Sequence, residues 1–262
     1  KIDGVLDDAA WVEAMEAKDF TQFRPTMGVA EKDFQKTVVK MTYDNDAIYI
    51  AAYLYDKPEL IMKQVTSRDN FGQNDFFLVV LNPNNDAQND TELVVFPTGT
   101  QADAIANPSN GEDFGWNAVW DSAVKIVDDG WIVEMKIPYA VLRFSNQEEP
   151  TWGLQFHRQF RQTREQYTWN PLDITKGNIG LYHGELKGLK DIEPPTRLSF
   201  YPFASTLINT FDGKTTDDYS LGLDVKYGIS ENFTLDMTLI PDFSQAGFDN
   251  RTLNLGPFEQ TF

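Results

Sequence analysis

The chain has 262 residues, 41% of them hydrophobic, a formal charge of -18 and a pI near 4.4. That length supports a full core in one or two domains, and the hydrophobic share excludes global disorder. With 22 basic residues against 40 acidic ones, nucleic acid and anionic lipid surfaces are excluded as expected partners, because phosphates require Lys and Arg patches.

The first signal is Asp7-Asp8 ahead of Ala9-Ala10-Trp11-Val12-Glu13-Ala14-Met15, an acidic start to a short turn or helix. Thr37–Tyr43 and Ala47–Tyr55 flank the turn-forming cluster Asp44-Asn45-Asp46, which predicts a hairpin. Residues 75–81 form a continuous apolar run that stops at Asn82-Pro83-Asn84-Asn85-Asp86, and residues 92–96 follow as a further strand. Residues 122–127 and 131–137 form another hairpin about Asp128-Asp129-Gly130, closed by Pro138. Residues 152–164 read as one longer strand. Short strands punctuated by Asn, Asp and Gly argue for an all-β antiparallel sandwich.

Composition shifts at Lys190-Asp191-Ile192-Glu193-Pro194-Pro195-Thr196, which places a linker at residues 191–196 between a domain at 1–190 and a region at 197–262. Within that region, residues 219–229 are apolar at odd positions and polar or Gly at even ones. The pattern resumes at Phe233, Leu235, Met237 and Leu239, so the two runs read as a hairpin. Pro241-Asp242-Phe243-Ser244-Gln245 leads into an irregular end that reads as truncated. No run of about 18 apolar residues exists, which excludes a transmembrane helix, whereas a barrel strand needs about 9 to 11 alternating residues. No charged and apolar leader pattern opens the sequence.

The sequence holds no cysteine and two histidines, His157 and His183, in separate segments, which argues against thiolate or His-based metal chemistry and against a His-driven nucleophile. No GxSxG, P-loop or dinucleotide fingerprint occurs. Asp69, Asn70, Asn74 and Asp75 lie close together and offer oxygen ligands for calcium, as do Asn84, Asn85, Asp86, Asn89 and Asp90; turns favour the same residues. Trp116, Trp120 and Trp169 occur beside Gly, Asn or Pro, where a ring can be presented to the C–H face of a sugar or can pack into the core. Arg158 shares its strand face with Trp152, Leu154, Phe156 and Phe160, so it needs a partner or a cleft. Glu134 is the expected partner, and the pair serves as a buried brace or as a grip on ligand.

Ile2-Asp3-Gly4-Val5-Leu6-Asp7-Asp8-Ala9-Ala10-Trp11 resembles the opening of carbohydrate-binding module family 9 domains. Gly130-Trp131, Glu134, Ile137-Pro138, Leu142-Arg143-Phe144 and Trp152-Gly153 with Arg158, Arg161, Arg164 and Glu165 continue the likeness. Trp116-Asn117-Ala118-Val119-Trp120-Asp121-Ser122 and the Pro241–Gln245 stretch resemble the DUF5916 family, in which such a sandwich precedes an outer-membrane β-barrel. The resemblance implies a jelly-roll-type sandwich, export to a Gram-negative outer membrane, the start of a barrel at 197–262, and oligosaccharide or polysaccharide as partner. The family's sugar clamp of two tryptophans implies an aromatic clamp here, with Phe71 in place of one tryptophan and Trp169 as the other wall; the expected site has Phe71, Trp116, Trp120 and Trp169 stacking on the sugar and Asp75, Glu134 and Arg158 bonding its hydroxyls. Two other roles stay open: an accessory part of a glycoside-hydrolysing enzyme, which requires a pair of carboxylates flanking a cleft, and a structural plug without a sugar ligand.

Overall fold

Period-two alternation of apolar residues, many of them β-branched or aromatic, makes nearly every element a strand. The computed structural model describes residues 1–194, 197–229 and 233–240. The chain divides into Lys1–Pro195 and Thr196–Phe262.

The first unit contains β1 (Met15–Ala17), β2 (Thr21–Arg24), β3 (Val29–Ala30), β4 (Thr37–Tyr43), β5 (Ala47–Tyr55), β6 (Phe76–Asn82) and β7 (Asp90–Val95). It continues with β8 (Gln101–Asn107), β9 (Gly111–Asp113), β10 (Asp121–Val127), β11 (Gly130–Pro138), β12 (Trp152–Phe160), β13 (Glu165–Thr168) and β14 (Gly184–Leu186). The smaller sheet has the order β1-β4-β5-β11-β10, and the larger β3-β2-β13-β12-β6-β7-β8-β9 with β14 also on β12. All pairings are antiparallel. One buried cluster fills the space between the sheets, with Val39, Ile50, Leu54, Trp131 and Met135 from the smaller and Phe77, Leu81, Leu93, Trp152 and Phe156 from the larger.

The expected hairpins form as β4–β5 and β10–β11. The predicted strand over 152–164 is instead two. Apolar positions end at Phe160, polar residues 161–164 turn the chain with Arg164 at a positive φ of 59°, and β13 returns alongside β12. The short turn or helix expected near residue 9 is a single 3-10 turn, Ala9–Trp11. Strand β8 was not legible, because Gln101-Ala-Asp-Ala-Ile-Ala-Asn is poor in strand formers and is held by its pairing with β7.

Gly130 opens β11 opposite Tyr55, and a Cβ there would stand 2.2 Å from the Leu54 carbonyl oxygen. Gly130→Ala is therefore expected to cost about 2 kcal/mol or more, read as a lower urea midpoint at unchanged slope.

The second unit contains β15 (Arg197–Phe211), β16 (Lys214–Gly228) and β17 (Thr234–Ile240), an antiparallel meander in that order. Asp212 and Gly213, both at positive φ, make the two-residue turn between β15 and β16. Register places Leu198, Phe200, Leu221, Tyr227, Leu235 and Met237 on one face, and all are well exposed. Ser199, Ser205, Lys226 and Asp236 share the other face. The Pro241–Gln245 stretch lies outside the described residues.

Candidate functional site

Three of the polar residues singled out by the sequence brace the sandwich. Glu134 is fully buried on the outer side of the smaller sheet, where it accepts hydrogen bonds from Asp3 N, Gly4 N and the Trp11 indole at 2.9, 2.7 and 3.0 Å. It thereby pins the N-terminal segment. Arg158 lies on the inner side of the larger sheet, and its partner is not Glu134. Its guanidinium donates to the Lys36 and Tyr55 carbonyls at 3.0 and 2.8 Å, stands 3.9 Å from Asp56 and lies over the Phe160 ring. The reason is alternation: residue 134 points away from the core, and residue 158 points into it. Asp75, pushed up to about 6 by burial, accepts from Arg161 N at 2.6 Å and Met62 N at 3.1 Å and so ties the β12–β13 turn to the segment before β6.

The tryptophans sit against the core. Trp120 is 5% exposed, and its indole donates to the buried Asp103, which also takes Arg68 and the Ala118 N–H. Trp116 is half-buried against the same cluster. Trp169 packs on Phe156 at 5.7 Å between centroids, and it fits because Gly184 has no Cβ, which would stand 2.7 Å from the ring. Phe71 is placed elsewhere. It meets Phe76, Phe96 and Phe114 edge-on, over a second buried cluster of Leu78, Val80, Val94, Phe96 and Ala102.

That second cluster is the outer face of the larger sheet, and the face also carries polar side chains. His157, Leu78 and Val94 form one row across β12, β6 and β7; Gln155, Val80 and Glu92 form the next. Phe71 and Phe76 border the first row, while Asn82 and Asp90 close the far end, where His183 lies 3.5 Å from Asp90. Gln155 is held by Asn170 and by the Tyr182 carbonyl, so the 169–183 loop borders the face along β12. Neither Glu92 nor His157 has a hydrogen-bond partner among the described residues. Burial, then the nearby Glu112 and Asp90, push Glu92 up to about 8. Burial, then the fields of His183 and Arg24, push His157 down to about 3. Burial thus favours the protonated carboxyl of Glu92 and the neutral imidazole of His157.

The sequence reading missed Glu92, Gln155 and His157. Their signal was present, since Gly153, Gln155, His157 and Gln159 alternate with the apolar positions of β12 and make a polar face within a central strand.

The proposed calcium ligands are engaged in hydrogen bonds within the fold. Asp69 accepts from Asp103 N, Asn70 from Gly72 N, and Asn74 from Gln64 N, while Asp75 is bound as described. Among the described residues no group of three or more His, Cys, Asp or Glu could hold a metal ion.

The family model described as carbohydrate family 9 binding domain-like matches residues 2–170, and that of a domain of unknown function, DUF5916, matches residues 194–262. No curated protein matches the chain. Among solved structures, a carbohydrate binding module family 9 from Caldicellulosiruptor kristjanssonii, in complex with glucose, is 19% identical and covers 74% of this chain and 95% of its own, with a TM-score of 0.51. A putative carbohydrate-binding protein from Bacteroides uniformis is 11% identical over 66% of this chain and 86% of its own, with a TM-score of 0.52. These likenesses support the antiparallel sandwich.

Proposed function

Because the chain belongs to the carbohydrate family 9 binding domain-like family through residues 2–170, we propose that the outer face of its larger sheet is a non-catalytic glycan-binding surface. The observation that carries this reading is the coincidence on one face of Phe71, half-buried in a ring cluster, with Glu92 and His157, two polar side chains without a hydrogen-bond partner among the described residues. A sugar offers a C–H face to the rings and hydroxyls to the polar groups. On this reading Phe71 is the stacking residue, while Trp116, Trp120 and Trp169 pack against the core. Calorimetry with glucose, cello-oligosaccharides and a wider glycan panel tests it. Binding that weakens about tenfold in Phe71→Ala is the expected result, as loss of one stacking ring implies. Absence of heat with every glycan would leave a structural domain.

The second unit is proposed to supply the first strands of an outer-membrane barrel, with the apolar row of Leu198, Phe200, Leu221 and Tyr227 facing lipid. Two 15-residue strands exceed the span a tilted barrel strand requires. The chain lacks cysteine, so Leu221→Cys and Asp224→Cys can each carry one polarity-sensitive dye. In phosphatidylcholine vesicles, blue-shifted emission at position 221 alone is expected; equal emission at both positions would refute the lipid-facing register.

A further inference from the structure

The face of the second unit opposite its apolar row is not uniformly polar. Register puts Tyr201 of β15, Asp224 of β16 and Thr238 of β17 in one row, and Ser199, Lys226 and Asp236 in the next. Tyr201 is 53% exposed, and among the described residues it makes no hydrogen bond and no ring contact. Phe203 follows on the same face, about 7 Å along β15. Its ring lies over Gly222, where an added Cβ would stand 1.7 Å from it. Covering a glycine accounts for Phe203, whereas nothing in the sheet accounts for Tyr201. A water-filled barrel interior calls for polar side chains, and aromatic rings belong to the girdles on the lipid side.

A cavity of about 310 Å³ opens on these two rows, with Tyr201, Asp224, Lys226, Asp236 and Thr238 in its wall. That volume falls at the lower end of the range for small-molecule sites, roughly 300 to 1,000 Å³. Within the wall, Asp224 Oδ1 is shielded from solvent and has no hydrogen-bond partner among the described residues. Lys226 pairs with Asp236 at 3.6 Å and not with Asp224. A carboxylate oxygen taken out of water without a donor is costly, and a donor brought by a ligand removes that cost. An open ring, an acceptor lacking a donor and an ammonium in one cavity are the groups a sugar engages. Its C–H face packs on the ring, one hydroxyl donates to the carboxylate, and another accepts from the ammonium. An inorganic cation would answer Asp224 and leave the Tyr201 ring bare.

We infer that this cavity is a second saccharide site, taking one neutral hexose unit of a glycan, with Tyr201 stacking on the sugar ring, Asp224 accepting from a hydroxyl and Lys226 donating to another. Asp224 and Asp236 against Lys226 leave the wall net negative, which disfavours uronic acids and sulfated sugars. The site shares no residue with the sandwich face proposed above. Its placement on the water-filled side rests on the reading of the second unit as barrel strands. On that reading these strands handle glycan as well as anchor the chain.

The test uses the full chain in a polyoxyethylene detergent, which has no sugar headgroup to compete. Ser199→Cys provides the only thiol and carries an environment-sensitive dye beside the cavity. The labelled chain is titrated with glucose, cellobiose, cellotetraose and the wider glycan panel, both with Phe71 and with Phe71→Ala, which removes the stacking ring of the sandwich face. A saturable change in emission is expected in both. It should weaken about tenfold in Tyr201→Ala and in Asp224→Asn and persist in Tyr201→Phe, as the loss of one ring or of one bond to a charged group implies. Circular dichroism checks that each variant keeps its strands. No saturable response with any glycan overturns the site, as does a response that Tyr201→Ala or Asp224→Asn leaves unchanged or that Tyr201→Phe abolishes. A response lost in Phe71→Ala reports the sandwich face alone and overturns it too. Each of these results leaves the sandwich reading to its own calorimetry. Equal dye emission at positions 221 and 224 removes the barrel placement and leaves the site standing.

Discussion

Replacing Arg158 by methionine is expected to lower the unfolding free energy by about 3 to 5 kcal/mol, the range found when one partner of a buried ion pair is deleted. Arg158 is 1% exposed and belongs to β12 of the larger sheet, yet its donors reach the Lys36 and Tyr55 carbonyls, which flank the start of β4 and the end of β5 in the smaller one. A further bond runs to Thr37 Oγ1 at 3.2 Å. One side chain therefore donates to acceptors on the facing layer, and its removal takes away those donors and leaves the buried Asp56 carboxylate without its cation. Burial pulls the guanidinium down to about 10, against the opposing fields of Asp56, Glu31 and Asp75. Arg158→Lys should recover little, since a single ammonium cannot fork between two carbonyl groups. Adding Asp56→Asn to Arg158→Met should return part of the loss by removing the unpaired charge. Guanidinium melts at a constant slope measure all three variants, and a loss under about 1 kcal/mol for Arg158→Met would contradict the cross-sheet role.

The fold was legible where strands are either fully apolar or strictly alternating. Thr37–Tyr43, Ala47–Tyr55 and the β10–β11 hairpin carry their own turn chemistry in Asp44-Asn45-Asp46 and Asp128-Asp129-Gly130, so local rules sufficed. Strands β8 and β9 owe their existence to neighbours in the sheet, which no local rule reports. The site was harder for a related reason. Isolated features such as a tryptophan beside a glycine or an arginine on an apolar face drew the eye, and each proved to be a structural solution: Trp120 on Asp103, Trp169 over Gly184, Arg158 across the sheets. What identifies a surface is the register that sets β12 beside β6 and β7, because it brings Glu92 of β7 onto the face that carries His157. Register is a tertiary property. The polar alternation of Gly153, Gln155, His157 and Gln159 was the one local clue to it.

Glu92 and His157 should give the domain opposing pH dependences, which single substitutions can separate. Glu92 is raised from 4.5 to about 8, so between those values the folded chain keeps a proton that the unfolded chain has released, and stability falls as pH rises. His157 is lowered from 6.5 to about 3, so in that window the unfolded chain binds a proton that the folded chain excludes, and stability falls as pH drops. Each slope is about 1.4 kcal/mol per pH unit, and they cancel where the windows overlap, between 4.5 and 6.5. Glu92→Gln is expected to be near neutral at pH 4.5 and to gain stability over the parent progressively up to pH 8, reaching a few kcal/mol. His157→Gln should show the reverse, gaining below pH 6.5 and little above it. Urea melts of both variants and the parent across this range isolate the two groups, because contributions from the other acidic residues drop out of each difference. A pH-independent offset for Glu92→Gln would mean that its carboxyl is already ionised and solvated, and would contradict the desolvation that raises it.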